Sequence, residues 1–310
     1  MRGEVSEVED GSPEDKKHTD TIINIIYNKK SKIPKEYEDI NNRFNGIAQS
    51  GFDIVSSQFS LHYYFKNKST LDGFIENLKD NVKHNGYFIG TCYNGEYIFN
   101  YFEERRKHFE KIRLIENEGL SSDEEDEDYE KEMRDKERQF IYTDTKGNVV
   151  FSIEKDYDIE DFKYNRGDES NLFGNKINVY MDSIGQNIPE YLVNFDYFKE
   201  IMEENGFELS IPNVKINHHI FRKDYFDNGL GQFSTIISNL NEISHKDKDL
   251  KKIDKSGNNI AYYKEALDMR ADFDYYDRSK KRNVVKERST VSPLLTLSSF
   301  NNYFIFKRVN

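Results

Sequence analysis

The chain has 310 residues, 36% hydrophobic and 33% charged, with a formal net charge of −12 and a mean hydropathy of −0.88. No run approaches eighteen apolar residues and the opening Met1-Arg2-Gly3-Glu4 is polar, so neither a membrane span nor a secretory signal is expected. The acidity argues against non-specific binding to nucleic-acid phosphates, and the single Cys92 excludes a disulfide framework and a thiolate zinc site, pointing to a reducing, intracellular setting.

Residues 1–20 are polar and acidic without periodicity and are expected to be disordered. A helix is predicted over Asp20–Tyr27, followed by a Lys-rich connector. The apolar run Phe52, Ile54, Val55 reads as a buried strand over 51–57. It ends in a polar-aromatic cluster of Gln58, Phe59, His62, Tyr63 and Tyr64. Open α/β sheets build ligand sites at the carboxyl ends of such strands. Aromatic faces with a few directed hydrogen-bonding groups suit a flat heterocycle such as a nucleobase.

Ser69-Thr70 then opens a helix, with Asp72 as its capping-box partner. Leu71, Phe74, Ile75, Leu78 and Val82 share one face of that helix, and Asn85-Gly86 ends it. Tyr87–Thr91 is the next strand, which makes a strand–helix–strand crossover and hence a parallel pair. Cys92-Tyr93-Asn94-Gly95 reads as a turn, and a helix follows with Ile98, Phe99, Phe102 and Phe109 inward. The acidic run Asp123–Asp128 marks 116–132 as a solvated, disordered insertion. Gln139–Tyr142 and Val149–Ile153 flank Asp144–Asn148 as a hairpin, to which Ile177–Asp182 adds a third antiparallel strand. Asp196–Asn205 should be helical and Phe207–Leu209 a strand. Helices are predicted near 231–243 and 259–269, and the last strand over Tyr303–Arg308.

Single residues carry little weight alone. Phe59 suits an ordinary core, His62 an ordinary satisfied histidine, and Glu190, after Pro189, a turn cap. His218-His219 are adjacent and would point to opposite faces of a strand, so no metal site is expected. Ser121-Ser122 precede the acidic run as acceptors for an acidophilic kinase or as plain flexible insertion.

Three segments together are more specific. They are Gln58–Phe65, then Tyr87–Phe99, then Leu172-Phe173-Gly174 followed by Ile188-Pro189-Glu190-Tyr191-Leu192-Val193. Ser298–Arg308 adds a weaker match. In this order they resemble the mRNA cap guanine-N7 methyltransferases of eukaryotes and large DNA viruses, from residue 40 to residue 308. The resemblance implies an α/β fold: a partial Rossmann-like class I methyltransferase sheet with an antiparallel β insertion over the cap site, spanning 21–310. It implies methyl transfer from S-adenosylmethionine to N7 of GpppRNA. N7 is already nucleophilic, so no catalytic residue is needed beyond those that hold the reactants in line. By the same resemblance Gln58 and Tyr63 line the S-adenosylmethionine pocket. Phe59, His62, Glu190 and Tyr303 contact the cap guanosine, with Phe300 as the alternative to Tyr303. Glu190 would accept N1–H and N2–H₂ of guanine as a bidentate, charge-assisted pair, from a solvent-facing position with little packing role.

One part of the pattern has no counterpart. No Gly-x-Gly-type loop precedes Phe52, and the family's ribose carboxylate and adenine-side Asp are not matched. The chain is therefore expected to be the cap-binding, C-terminal part of the catalytic domain, inactive alone. Its partners would be the capped RNA 5′ end and a missing N-terminal half or another capping-enzyme subunit. The alternative is a non-catalytic cap-binding or regulatory subunit of a capping complex. The setting would be host cytoplasm or virion for a viral protein, or the nucleus for a cellular one.

Overall fold

The structure is a computed structural model that describes residues 12–29, 32–117, 127–143, 147–210, 228–235 and 293–310. Helix α1 (Pro13–Ile26) starts well before the predicted Asp20. Ser12 and Asp15 form a reciprocal capping box and Pro13 takes the first helical position, so residues expected to be disordered are helical from Pro13. A single-turn 3₁₀ helix (Lys35–Tyr37) leads into α2 (Glu38–Phe44).

Strand β1 (Phe52–Gln58) and a short helix α3 (Leu61–Tyr64) come next. Helix α4 (Lys68–Asn81) is capped not by the predicted Ser69-Thr70 box but by Asn67, whose side chain accepts from the amide of Thr70 at 3.0 Å. Leu71, Ile75 and Leu78 are buried on one face of α4, as the spacing predicts. Strand β2 (Val82–Tyr93) is longer than expected at both ends. Asn85, at φ 62°, bends the strand locally instead of ending the helix. The predicted turn at Cys92–Gly95 is the buried end of β2 running straight into helix α5 (Gly95–Asn117). Asn94 caps that helix, accepting from the amide of Tyr97 at 3.2 Å.

The expected disordered insertion is partly helix. Residues 118–126, with Ser121-Ser122, lie outside the described residues, but α6 (Glu127–Arg138) follows directly. Met133 buries its side chain, Glu132 pairs with Lys136 at 2.6 Å, and Arg113 of α5 pairs with Glu137 at 2.8 Å. One apolar anchor and i,i+4 pairing offset the like-charge repulsion that the acidic run suggested.

Strands β3 (Gln139–Thr143), β4 (Val149–Asp156), β5 (Lys176–Met181) and β6 (Gln186–Tyr191) form an antiparallel sheet in that order. This bears out the hairpin and its third strand, although 144–146 of the turn are outside the described residues. Pro189 lies on the edge strand β6, where a missing N–H costs no ladder bond. Helix α7 (Phe195–Glu204), β7 (Phe207–Leu209), β8 (Leu230–Gln232), α8 (Pro293–Ser299) and β9 (Asn301–Arg308) complete the described elements. A helix was expected near 231–243: Leu230–Gln232 pairs instead as a strand with β9, residues 233–235 are helical as expected, and 236–243, 259–269 and His218-His219 are outside the described residues.

The main sheet has the order β1-β2-β9-β7, with β8 also on β9. β1 and β2 are parallel and joined by α3 and α4, which is the predicted crossover; β2 and β9 are antiparallel. The fold is therefore α/β with a mixed sheet and a separate antiparallel layer, as in class I methyltransferases. Phe88, Phe198, Phe304 and Phe306 pack with the α4 face in one core. A second core joins Ile98 and Phe102 of α5 to Ile153, Ile177 and Phe300 under the antiparallel sheet.

β1 departs from its reading. Its apolar run was taken as buried, but Ile54 is 59% exposed and Phe52 is also exposed. Among the described residues β1 pairs only with β2, so its other edge is open.

Candidate functional site

The carboxyl ends of β1 and β2 and the edge strand β6 converge. Parallel pairing sets Gln58 opposite Thr91. Residues two apart on a strand share a face, so Thr91 and Tyr93 look to one side of β2. Each holds one half of the site.

Tyr93 belongs to a buried polar cluster. His62, on α3, is 1% exposed and sits between two tyrosines, with ring centroids 4.4 Å from Tyr63 and 4.8 Å from Tyr93. Glu190 of β6 reaches the same spot and is 3% exposed. The Tyr63 hydroxyl donates to Oε1 of Glu190 at 3.0 Å. Nε2 of His62 lies 3.3 Å from Oε1, within ion-pair range. Even so, Oε2 of Glu190 and both ring nitrogens of His62 are buried without a well-formed hydrogen bond. Such atoms are rare in folded interiors, and each calls for a partner.

Burial alone would raise the pKa of Glu190. The attraction of His62 and the hydroxyls of Tyr93 and Tyr63 outweigh it, and the carboxyl is held below the usual glutamate range. The Tyr63 phenol is pushed up to about 12, first by burial and then by the Glu190 charge. The Tyr93 phenol is raised well above its ordinary value for the same two reasons in the same order. The cluster is thus an ionised carboxylate beside two phenols that stay protonated. Glu190 was expected to face solvent and support little packing; it is instead buried in strand β6 behind the Tyr63 ring.

Thr91 holds the other half. Both its carbonyl and its hydroxyl accept from the amide of Phe59, at 3.2 Å and 2.8 Å. These bonds fix Phe59 at φ 49°, a left-handed conformation that bulky residues seldom adopt. The ring is 47% exposed and contacts Phe233, 5.9 Å away, which in turn meets Tyr303 at 5.6 Å. Tyr303 pairs with Thr91 across the β2–β9 ladder. Phe300, the alternative to Tyr303, is fully buried against Tyr97, Tyr101 and Phe140 and lies outside this row. Gln58 is exposed at the end of β1, its amide donating to Ser56 at 2.9 Å.

Of the predicted residues, His62, Tyr63 and Glu190 form one cluster, and Phe59 and Tyr303 one aromatic row through Phe233. Gln58 stands beside the row and touches neither group in the described contacts. Sequence reasoning missed Tyr93, Thr91 and Phe233. The first two were legible as alternate residues had the strand been continued past Thr91. Among the described residues no cluster of His, Cys, Asp and Glu could hold a metal ion, and no helix is long and apolar enough to cross a membrane.

Comparison with known proteins gives the same direction. A 187-residue match to the mRNA cap guanine-N(7) methyltransferase of Aspergillus fumigatus is 26% identical and covers 59% of this chain and 26% of that protein. The Candida albicans protein of the same name is 26% identical over 183 residues, 58% of this chain and 31% of its own length. A protein of Acanthamoeba polyphaga mimivirus named "Probable mRNA-capping enzyme" is 27% identical over 183 residues, 58% of this chain and 13% of that protein. The chain thus spans under a third of the length of these relatives. The family model described as the mRNA (guanine-N(7))-methyltransferase domain matches residues 29–271, well over half of the sequence. By that match the chain belongs to the mRNA (guanine-N7)-methyltransferase family.

Proposed function

We propose that this chain supplies the cap-guanine side of N7 methylation, binding the guanosine of GpppRNA so that N7 faces the methyl donor. The observation that carries the reading is the buried, ionised Glu190, whose Oε2 has no hydrogen-bond partner, beside a buried His62 whose ring nitrogens make no well-formed hydrogen bond. A carboxylate so placed wants two parallel N–H donors. The N1–H and N2–H₂ edge of guanine offers them, and adenine does not. Tyr63, partly exposed over Glu190, supplies a ring to lie against the base, with His62 behind it. Phe59, Phe233 and Tyr303 form an aromatic row on the flank where the cap or the methionine moiety would lie. The chemistry needs orientation alone, since N7 is a nucleophile without a base.

S-adenosylmethionine is the methyl donor that the family implies. The described residues fit one flank of it: the exposed Gln58 amide and Phe59 ring at the carboxyl end of β1. They form no cradle for its ribose and carboxylate, so no step is assigned to it here. The open outer edge of β1 supports the further reading that a second polypeptide, an N-terminal half or a capping-enzyme subunit, completes the methyl-donor side and that this chain is inactive alone. The same edge favours the second reading, a non-catalytic cap-binding or regulatory subunit. Intracellular action, in host cytoplasm, virion or nucleus, goes with either.

The test is cap-analogue binding by the full chain. GpppG should bind, ApppA should bind far more weakly, and Glu190→Gln should weaken GpppG by on the order of tenfold to a hundredfold while hardly changing ApppA. Equal weakening toward both would remove Glu190 from the guanine edge.

A further inference from the structure

We propose that the arginine-lined cavity at helices α5 and α6 holds a backbone phosphate of the RNA strand that follows the cap. The proposal rests on reading Glu190 as the acceptor for the cap guanine.

The cavity has a volume of about 360 Å³ and is lined by Arg113, Arg134, Glu137 and Arg138. Three arginines thus share the lining with one carboxylate, a local positive excess in a chain of net charge −12. The carboxylate is already engaged: Glu137 pairs with Arg113 at 2.8 Å. Arg138 is anchored through Nε, which donates to the carbonyl of Lys155 at 3.1 Å. Its two terminal nitrogens have no hydrogen bond or ion pair among the described residues. Arg134, exposed on α6, has none there at all. The last turn of α6 is tied to α5 by Arg105, which donates to the carbonyls of Lys136 and Glu137. The lining therefore stands on a fixed frame and keeps N–H donors in reserve. Guanidinium forks match phosphate oxygens two at a time. The overall acidity of the chain opposes diffuse binding of phosphates, so a local excess of this kind is where one would be held.

The strand register ties the cavity to the cap side. Lys155 of β4 pairs with Ile177 of β5, and Ile177 pairs with Glu190 of β6. Directly opposed residues project from the same face of a sheet. Lys155 pairs with Glu103 of α5 at 3.4 Å, which identifies that face as the one α5 covers. Gln139 of β3 pairs with Glu154, so Arg138 stands opposite Lys155 and extends the same rung to a fourth strand. Three strand spacings of about 4.8 Å put the backbones of Arg138 and Glu190 about 14 Å apart across the sheet. A guanine at Glu190 cannot itself fill the cavity. A phosphate further along the same RNA can.

The experiment measures binding to the full chain of GpppG, of a short RNA with a guanosine cap, and of the same RNA with an adenosine cap. Arg134→Gln removes one charge from an exposed side chain that bonds nothing among the described residues, so the fold should hold. It is expected to weaken both capped RNAs by roughly threefold to tenfold and to reduce the slope of log affinity against log salt by about 0.7, while GpppG binds as before. Lys131→Gln makes the same charge change on α6 outside the lining and should do much less; an equal loss would mean diffuse charge and no site. Inorganic phosphate tests the other source of the anion. If Arg134→Gln loses phosphate but leaves the capped RNAs unchanged, the cavity serves a free anion and the proposal falls. Glu190→Gln keeps the two readings apart, since it should weaken GpppG and the guanosine-capped RNA and spare the adenosine-capped one. If it does so while Arg134→Gln binds both RNAs like the wild type, the proposal falls and the reading of Glu190 stands. If Glu190→Gln changes nothing, that reading falls, and with it the course assigned to the RNA.

Discussion

The two sides of the β1–β2 pair are finished to different degrees. On the β2 side both faces are filled, Gly90 lying against Phe304 in the first core and Tyr93 against His62 on the other. On the β1 side Phe52 and Ile54 stand exposed along an edge with no strand beside it among the described residues. An exposed apolar edge strand is a template for pairing, and natural proteins normally cover, shorten or charge one. Here Asp53 and Lys83 form an ion pair at 3.0 Å near its start, and nothing comparable guards Ile54 among the described residues. The difference separates a packed, preformed carboxylate cluster from an apolar edge that the described residues leave uncovered.

The comparison breaks most visibly at Gly90. A Cβ there would meet Cζ of Phe304 at 2.4 Å and the Ser57 carbonyl at 2.6 Å, one a fully packed ring and the other backbone. Gly90→Ala should cost about 3 kcal/mol or more in urea unfolding, at the upper end for overpacking. A loss below about 1 kcal/mol would show that the β2 side is looser than its packing implies.

The second expectation is smaller and concerns acid. Glu190 titrates below its unfolded value, so the native state holds the carboxylate ionised where the unfolded chain has begun to take up the proton. The stability it contributes is complete above the ordinary glutamate range, near 4.5, and is lost as pH falls through the lower native value. The wild type should therefore lose stability more steeply than Glu190→Gln as pH drops below that range. Parallel curves from the two proteins would mean that the carboxylate gains nothing from Tyr63, Tyr93 and His62. Because Glu190 is buried, Glu190→Gln should also lower stability at neutral pH, unlike a solvent-facing carboxylate.

The smallest expected effect lies on the open edge. Ile54→Ser should change stability by no more than about 0.5 kcal/mol, since the side chain is largely in water already. It should nonetheless reduce self-association at high concentration, seen by light scattering, if the edge is sticky in isolation. A loss of several kcal/mol would show that residues outside those described cover β1.

Much of this was legible in the sequence. The i, i+3, i+4 face of α4 and its flanking strands gave the crossover, because periodicity is local. The clustering of His62, Tyr63 and Glu190 came only from resemblance, since 127 positions separate the hydroxyl of Tyr63 from the carboxylate it meets. The burial of β1 was misread for a general reason: an apolar run reports what a strand could bury, while its neighbours decide what it does bury. The end of β2 was misread as a turn because Cys92-Tyr93-Asn94-Gly95 carries turn chemistry, and the helix that begins at Gly95 uses Asn94 as its cap instead. Gly95 itself is fixed by the Val193 carbonyl, 2.4 Å from where a Cβ would stand, a contact no local pattern encodes. In α6 the acidic composition suggested disorder, whereas the burial of Met133 and the Arg113–Glu137 pair were invisible without the facing helix.

On the proposed reading of Phe59 as a cap contact, its left-handed backbone places stability and recognition in opposition at one residue. A phenylalanine at φ 49° pays for its conformation by about 1 kcal/mol relative to a glycine, which would sit there at ease. Thr91 restrains it with two bonds to one amide. A glycine would relax the chain and erase the ring, so a search for more stable variants, blind to ligand, should select against the residue that a search for binding would keep.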